Sequence, residues 1–185
     1  MRTFIAIPLP SESQGMLARL QDNLRTFKAD VRWTSIPSIH LTLKFLGEVD
    51  PGIVPRMAQE LKAVMISERG FPISLSGLGA FPNLRNPRVI WCGVHENAGK
   101  LASLHKAVDA ACVRLGMLPE ERDFKPHLTL GRVNGKTNLH PLLECIKIGS
   151  GLESTFTVDH FNIYKSVLHP RGAVYSILER VELGS

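Results

Sequence analysis

The residues His40-Leu41-Thr42-Leu43 recur unchanged as His127-Leu128-Thr129-Leu130 in a chain of 185 residues. In extended backbone, side chains two apart point to the same side. Each copy therefore presents an imidazole beside a hydroxyl. Imidazole titrates near neutrality, so one copy can take a proton from water while the other gives a proton to a leaving alkoxide. The two threonine hydroxyls can donate hydrogen bonds to the non-bridging oxygens of a phosphate as its charge redistributes. This set suits the opening of a cyclic phosphodiester, where a positioned water is the only nucleophile needed. Metal hydrolysis is disfavoured: there is no His-Glu-x-x-His and no compact Asp/Glu/His cluster. Cys92, Cys112 and Cys145 lack Cys-x-x-Cys spacing, which argues against a cysteine zinc site and a disulfide framework and for buried free thiols. No cofactor is expected.

The elements that must position these groups follow from periodicity. Thr3 to Leu9 reads as a strand. Glu12 to Phe27 reads as a helix with an apolar stripe of Met16, Leu17, Leu20, Leu24 and Phe27. Val31 to Thr34 and His40 to Val49 read as strands, and Asp50-Pro51-Gly52 starts a helix over Ile53 to Ser67. Phe71 to Leu78 and Arg88 to Val94 read as strands, Asn97 to Leu115 as a helix, Lys125 to Val133 as the second motif strand and Leu139 to Ile148 as a short helix. Thr155 to Leu168 and Ala173 to Leu183 read as a closing pair of strands joined across His169-Pro170-Arg171-Gly172. Tight turns outnumber helical crossovers, which favours an α+β fold with antiparallel sheets. Strand, helix and His-x-Thr strand occur in each half, as an internal duplication packed as two lobes would give.

Hydrophobic residues make up 44% of the chain, enough for a core within one domain spanning 1–185. Lys and Arg number 22 against 17 Asp and Glu, a net charge of +5, which favours anionic partners. No stretch approaches the roughly 20 apolar residues of a membrane span, and the start lacks a signal-peptide pattern; a cytoplasmic protein with no membrane partner is expected.

Further candidates surround the motifs. Lys44 follows His40 and Thr42 at the same parity, so it either faces the cleft and attracts phosphate or is a solvated strand-end lysine. Strict alternation puts Arg132 away from His127 and Thr129, but Gly131 permits a bulge that would turn it inward. Ser166 and Tyr175 can reach a cleft from the closing strands.

The chain resembles the 2H phosphoesterases, and within them the RNA 2′,3′-cyclic phosphodiesterases, or 2′-5′ RNA ligase-like proteins. The resemblance rests on Arg2 to Ile7, on Trp33 followed by His40 to Val49, on Pro126 to Arg132, and on Ser166-Val167-Leu168, Gly172 and Tyr175. Relatives often carry Ala where Gly131 stands. The resemblance implies a bilobal α+β fold, with two antiparallel sheets flanked by helices around a central cleft and pseudo-twofold symmetry. It implies hydrolysis of RNA 2′,3′-cyclic phosphate ends to 2′-phosphomonoesters, with His40 as general acid, His127 as general base, and Thr42, Thr129 and Arg132 on the phosphate. RNA ends or a small cyclic-phosphate nucleotide are the implied substrates, acted on by a monomer. Two alternatives stay open: 2′-5′ RNA ligation at the same site, and a non-catalytic RNA-end binding module.

Overall fold

The computed structural model describes residues 1–170 and 172–184. Arg171 of the expected closing turn and Ser185 at the end of the expected domain lie outside the described residues. The elements are β1 (Arg2–Ile7), α1 (Ser11–Arg25), β2 (Val31–Trp33), β3 (Leu41–Glu48), α2 (Val54–Met65), β4 (Phe71–Phe81), β5 (Val89–His95), α3 (Lys100–Arg114), β6 (His127–Val133), α4 (Leu139–Ile148), β7 (Ser154–Val158), β8 (His160–His169) and β9 (Gly172–Glu182). They build an α+β fold of two antiparallel sheets, ordered β3-β1-β8-β9 and β2-β6-β5-β4-β7.

The helices form where an apolar stripe meets a sheet. α1 buries Met16, Leu17, Leu20 and Leu24, while its Ser13 hydroxyl meets that of Ser154 at 2.9 Å and its Arg25 lies over the Trp33 ring. It therefore covers the five-stranded sheet, as does α4 through β4. α2 packs on β9 and α3 on β3, and these two helices pack on each other, covering the four-stranded sheet. Each sheet with its helices thus draws on both halves of the chain, and the buried apolar residues form one continuous core. Among the described residues, no helix is long and apolar enough to cross a membrane.

Three expected elements differ, the simplest being β4, which runs on to Phe81 instead of ending at Leu78. The strand expected over Thr155 to Leu168 is two strands in different sheets, because β7 pairs with β4 and β8 with β1. The chain changes sheet at Asp159, whose carboxylate meets His160 Nδ1 at 2.5 Å and whose carbonyl accepts from Leu183 N. The helix expected from Asn97 starts later, at Lys100, since the Glu96 carboxylate accepts from the backbone N–H groups of Ala98 and Leu101 and shapes a turn first.

Both motif strands carry a bulge at the same place. Across β1 and β3 the partners run Ile5–Lys44 and then Ala6–Thr42, leaving Leu43 as the extra residue. Across β5 and β6 they run Ile90–Gly131 and then Trp91–Thr129, leaving Leu130 extra. An extra residue shifts the side-chain alternation by one. Leu43 and Lys44 both turn to the core, as do Leu130 and Gly131. Phe45 and Arg132 then come to the faces of Thr42 and Thr129. Gly131 leaves room for this packing: a Cβ there would lie 2.7 Å from Val31 Cγ1.

The second bulge is held from beneath by α1. Buried Gln21 donates from Nε2 to the carbonyls of Leu130 and Thr34, each at 2.8 Å, and Thr34 N donates to the same Leu130 carbonyl at 2.9 Å. Replacing Gln21 by Leu leaves buried acceptors short of a donor, so the Gln21→Leu variant should lose about 1–3 kcal/mol of stability. Urea unfolding should show a lower midpoint at an unchanged slope; an unchanged midpoint contradicts this role for Gln21.

Candidate active site

His40 immediately precedes β3, and His127 opens β6. Both rings are tethered in the same way, to the backbone two residues earlier. His127 Nδ1 lies 2.7 Å from the Lys125 carbonyl. A carbonyl only accepts, so Nδ1 carries the hydrogen, and the neutral ring keeps its lone pair on Nε2. His40 makes the corresponding hydrogen bond with the Ser38 backbone. Thr42 and Thr129 follow two residues on, each on the face of its histidine. The strands that carry the motifs, β3 and β6, touch where the two sheets meet.

The surroundings of the two rings differ. The His40 ring stacks on Phe4 at 4.6 Å between centroids, Phe4 stacks in turn on Tyr164 at 5.1 Å, and Tyr175 stands edge-on to His40 at 5.2 Å. This aromatic wall takes water away from the imidazole. Burial lowers its pKa from 6.5 to about 4, against a smaller opposing effect of the Ser38 hydrogen bond. His127 has Phe81 edge-on at 4.8 Å, with Trp91 beside Phe81 at 5.3 Å. Buried Asn162 donates from Nδ2 to the Tyr164 hydroxyl at 2.9 Å and so orients it. Burial is also the main influence on the Tyr175 hydroxyl, raising its pKa, while Arg2 and Arg132 act on it in the opposite sense. Arg132, from the five-stranded sheet, thus acts electrostatically on a tyrosine that touches His40 on the other sheet.

Tyr175 thus touches His40, Arg132 acts on Tyr175, and the strands that carry Thr42 and Thr129 touch each other. Ser166 is the cross-strand partner of Tyr175 and shares its face. The bulge reverses the parity reading for Arg132. It also corrects the reading of Lys44 as a cleft residue. Lys44 is buried on the opposite face, where its ammonium pairs with the Asp109 carboxylate of α3 and donates to the Leu118 carbonyl at 2.9 Å. The Asp109 carboxylate also accepts from Glu120 N, so Lys44 ties β3 to α3 and its following loop.

Sequence reasoning missed Phe4, Tyr164, Phe81, Trp91 and Asn162. The available signal was parity, since Phe4 lies on the opening strand and Tyr164 two residues before Ser166. Four other histidines stand elsewhere: His95 Nε2 meets the Ser76 carbonyl, His105 stacks on Phe124, His140 lies by Glu144, and His160 meets Asp159. No group of three or more His, Cys, Asp or Glu converges as a metal site among the described residues. Cys92 and Cys112 are buried thiols, pushed up by burial to about 12 and about 11. Two other concavities, one beside Phe156 and His160 and one at Leu118 to Arg122, contain none of the motif residues.

Burial of His40 has a consequence for stability. In the unfolded chain the imidazole takes a proton near 6.5, and in the folded protein only near 4. Between these values the unfolded state holds more protons, so stability falls as the pH is lowered from about 6.5 to about 4. Urea unfolding of His40→Gln across this window should show a shallower loss than the parent; parallel curves would contradict a desolvated, neutral His40.

The model of the 2′-5′ RNA ligase superfamily matches residues 9–169. The chain is 35% identical over 180 residues to the RNA 2′,3′-cyclic phosphodiesterase of Methanothermobacter thermautotrophicus, covering 97% of each chain. It is 34% identical over 184 residues to that of Archaeoglobus fulgidus, covering 98% of this chain and 100% of the relative. Among solved structures, a Thermus thermophilus protein superposes with a TM-score of 0.83 at 30% identity, over 99% of this chain and 98% of the other. E. coli LigT complexed with 3′-AMP superposes with a TM-score of 0.81 at 26% identity, over 100% of this chain and 98% of the other. With this fold, and with a match over most of its length, the chain belongs to the 2′-5′ RNA ligase superfamily.

Proposed function

We propose that the protein hydrolyses 2′,3′-cyclic phosphate ends of RNA to 2′-phosphomonoesters by metal-independent acid–base catalysis. The observation that carries this reading is the matched pair of His-x-Thr strands, each with its imidazole tethered to the backbone two residues back. The same activity in the names of relatives from several archaea and bacteria supports it.

The step needs two protons moved. A water attacks phosphorus and gives its proton to His127 Nε2. The bond from phosphorus to the 3′ oxygen breaks, and that oxygen takes the proton carried by His40. Thr42 and Thr129 hydrogen-bond the non-bridging oxygens, and Arg132 offsets their negative charge. Tyr175 and Ser166 line the substrate side of His40. Burial holds His40 neutral at neutral pH; a bound phosphate anion beside it favours its protonated form. The aromatic wall against His40 thus keeps the acid uncharged until an anion arrives.

One chain supplies both motifs, in keeping with a monomeric enzyme built as a single bilobal domain over 1–185. A cytoplasmic setting accords with the free thiols Cys92, Cys112 and Cys145. Joining of 2′,3′-cyclic and 5′-hydroxyl RNA ends would use the same groups in reverse.

His40→Ala and His127→Ala should each lower turnover of a cyclic-phosphate-ended RNA by about 10²–10⁴ in the presence of EDTA, with the parent releasing 2′-phosphate. Near-parental turnover in either variant, or a 3′-phosphate product, overturns the mechanism. The parent's kcat/KM should be bell-shaped in pH, with its acid limb displaced towards the value of about 4 set by desolvated His40. An acid limb at the ordinary imidazole value contradicts that assignment.

A further inference from the structure

Arg32 of β2 stands directly opposite Arg132 of β6. Its neighbours Val31 and Trp33 pack against the core, at the position where Gly131 has no side chain. Arg32 therefore projects from the other face, which it shares with Arg132, Thr129 and His127. Both guanidiniums are exposed. Neither has a hydrogen bond or ion pair among the described residues, unlike Arg114, Arg122 and Arg180.

Like charges directly opposite on antiparallel strands repel, because their Cβ atoms are only about 4.5–5.5 Å apart. Folding gains nothing from this pair, whereas an anion lying across both guanidiniums removes the repulsion. The position has a direction as well. β2 is the edge of its sheet, so the path from Thr129 runs along β6 to Arg132 and then across to Arg32 at the sheet edge, away from the motif. Arg32 lies one strand spacing of about 4.8 Å beyond Arg132.

We propose that Arg32, side by side with Arg132, binds the phosphodiester next to the terminal cyclic phosphate, so that the cleft selects an RNA chain over a single nucleotide. The inference rests on the proposed cyclic-phosphate hydrolysis and names the substrate class of that site. A single nucleoside 2′,3′-cyclic phosphate has no second phosphate to offer, and an oligonucleotide does.

The test measures kcat/KM, in EDTA, on a nucleoside 2′,3′-cyclic phosphate and on a short oligoribonucleotide with the same cyclic end. The oligomer-to-nucleotide ratio should fall about ten-fold in Arg32→Gln, as expected for loss of a charge-assisted phosphate contact. The salt dependence of the oligomer reaction should weaken by about 0.7 in log–log slope, the counterion release of one phosphate on a single strand. Arg32→Lys should retain most of the ratio. The Tm of Arg32→Gln should not fall, since a like-charge repulsion is removed. If the parent turns over both substrates and Arg32→Gln leaves the ratio and slope unchanged, this inference falls while the hydrolytic reading stands. The inference falls equally if Arg32→Gln only makes the protein aggregate, as loss of an edge-strand charge would. If the parent turns over neither substrate, the hydrolytic reading fails and takes this inference with it.

Discussion

One extra residue in each motif strand decides what the cleft contains. A strand that kept strict alternation would point Lys44 into the cleft and Arg132 out of it. The bulges at Leu43 and Leu130 reverse both positions. A bulge leaves backbone groups to be satisfied locally. Here the Leu130 carbonyl takes donors from Gln21 and Thr34, and Gly131 leaves space for Val31 and Trp33 to close beneath it. Beside the first bulge, buried Lys44 finds Asp109 and the Leu118 carbonyl. The same irregularity thus has two different supports, and the cation of one strand becomes structural while the cation of the other stays exposed on the face of Thr129.

The two motif units are alike in backbone and unlike in surroundings. In each, a strand, a helix and an antiparallel His-x-Thr strand follow in order, and each imidazole is tethered two residues back. The rings then meet different walls. Phe4, Tyr164 and Tyr175 enclose His40, while Phe81 flanks His127. Burial of this kind suppresses the charged form of an imidazole. Two copies of one motif can in this way take separate roles without any change in the motif itself.

The halves of the chain are interwoven. The helix after β1 covers the sheet that carries β6, and the helix after β5 covers the sheet that carries β3. Moving one motif strand against the other would require repacking the continuous core that both sheets share. That coupling suits a reaction whose acid and base must hold their geometry across a cleft.

The sequence by itself determined the local elements, the pairing of His with Thr, and the chemistry that two such pairs support. These depend on periodicity and residue type, which are local properties. Helix α4 stands over the residues its pattern marked, Leu139 to Ile148, and strand β6 ends at Val133 as expected. What residues alone could not reach depended on contacts distant along the chain. The bulges appear only when a partner strand sets the register, so parity misplaces Lys44 and brings Arg132 inward only with the help of the family resemblance. The break at Asp159 exists because β7 and β8 pair with strands of different sheets. The aromatic wall around His40 joins residues 4, 40, 164 and 175, a neighbourhood that only the tertiary fold creates. The repeat announced two imidazoles; the fold decided that His40 is the one desolvated by an aromatic wall, because desolvation is a property of the assembled fold and not of any motif.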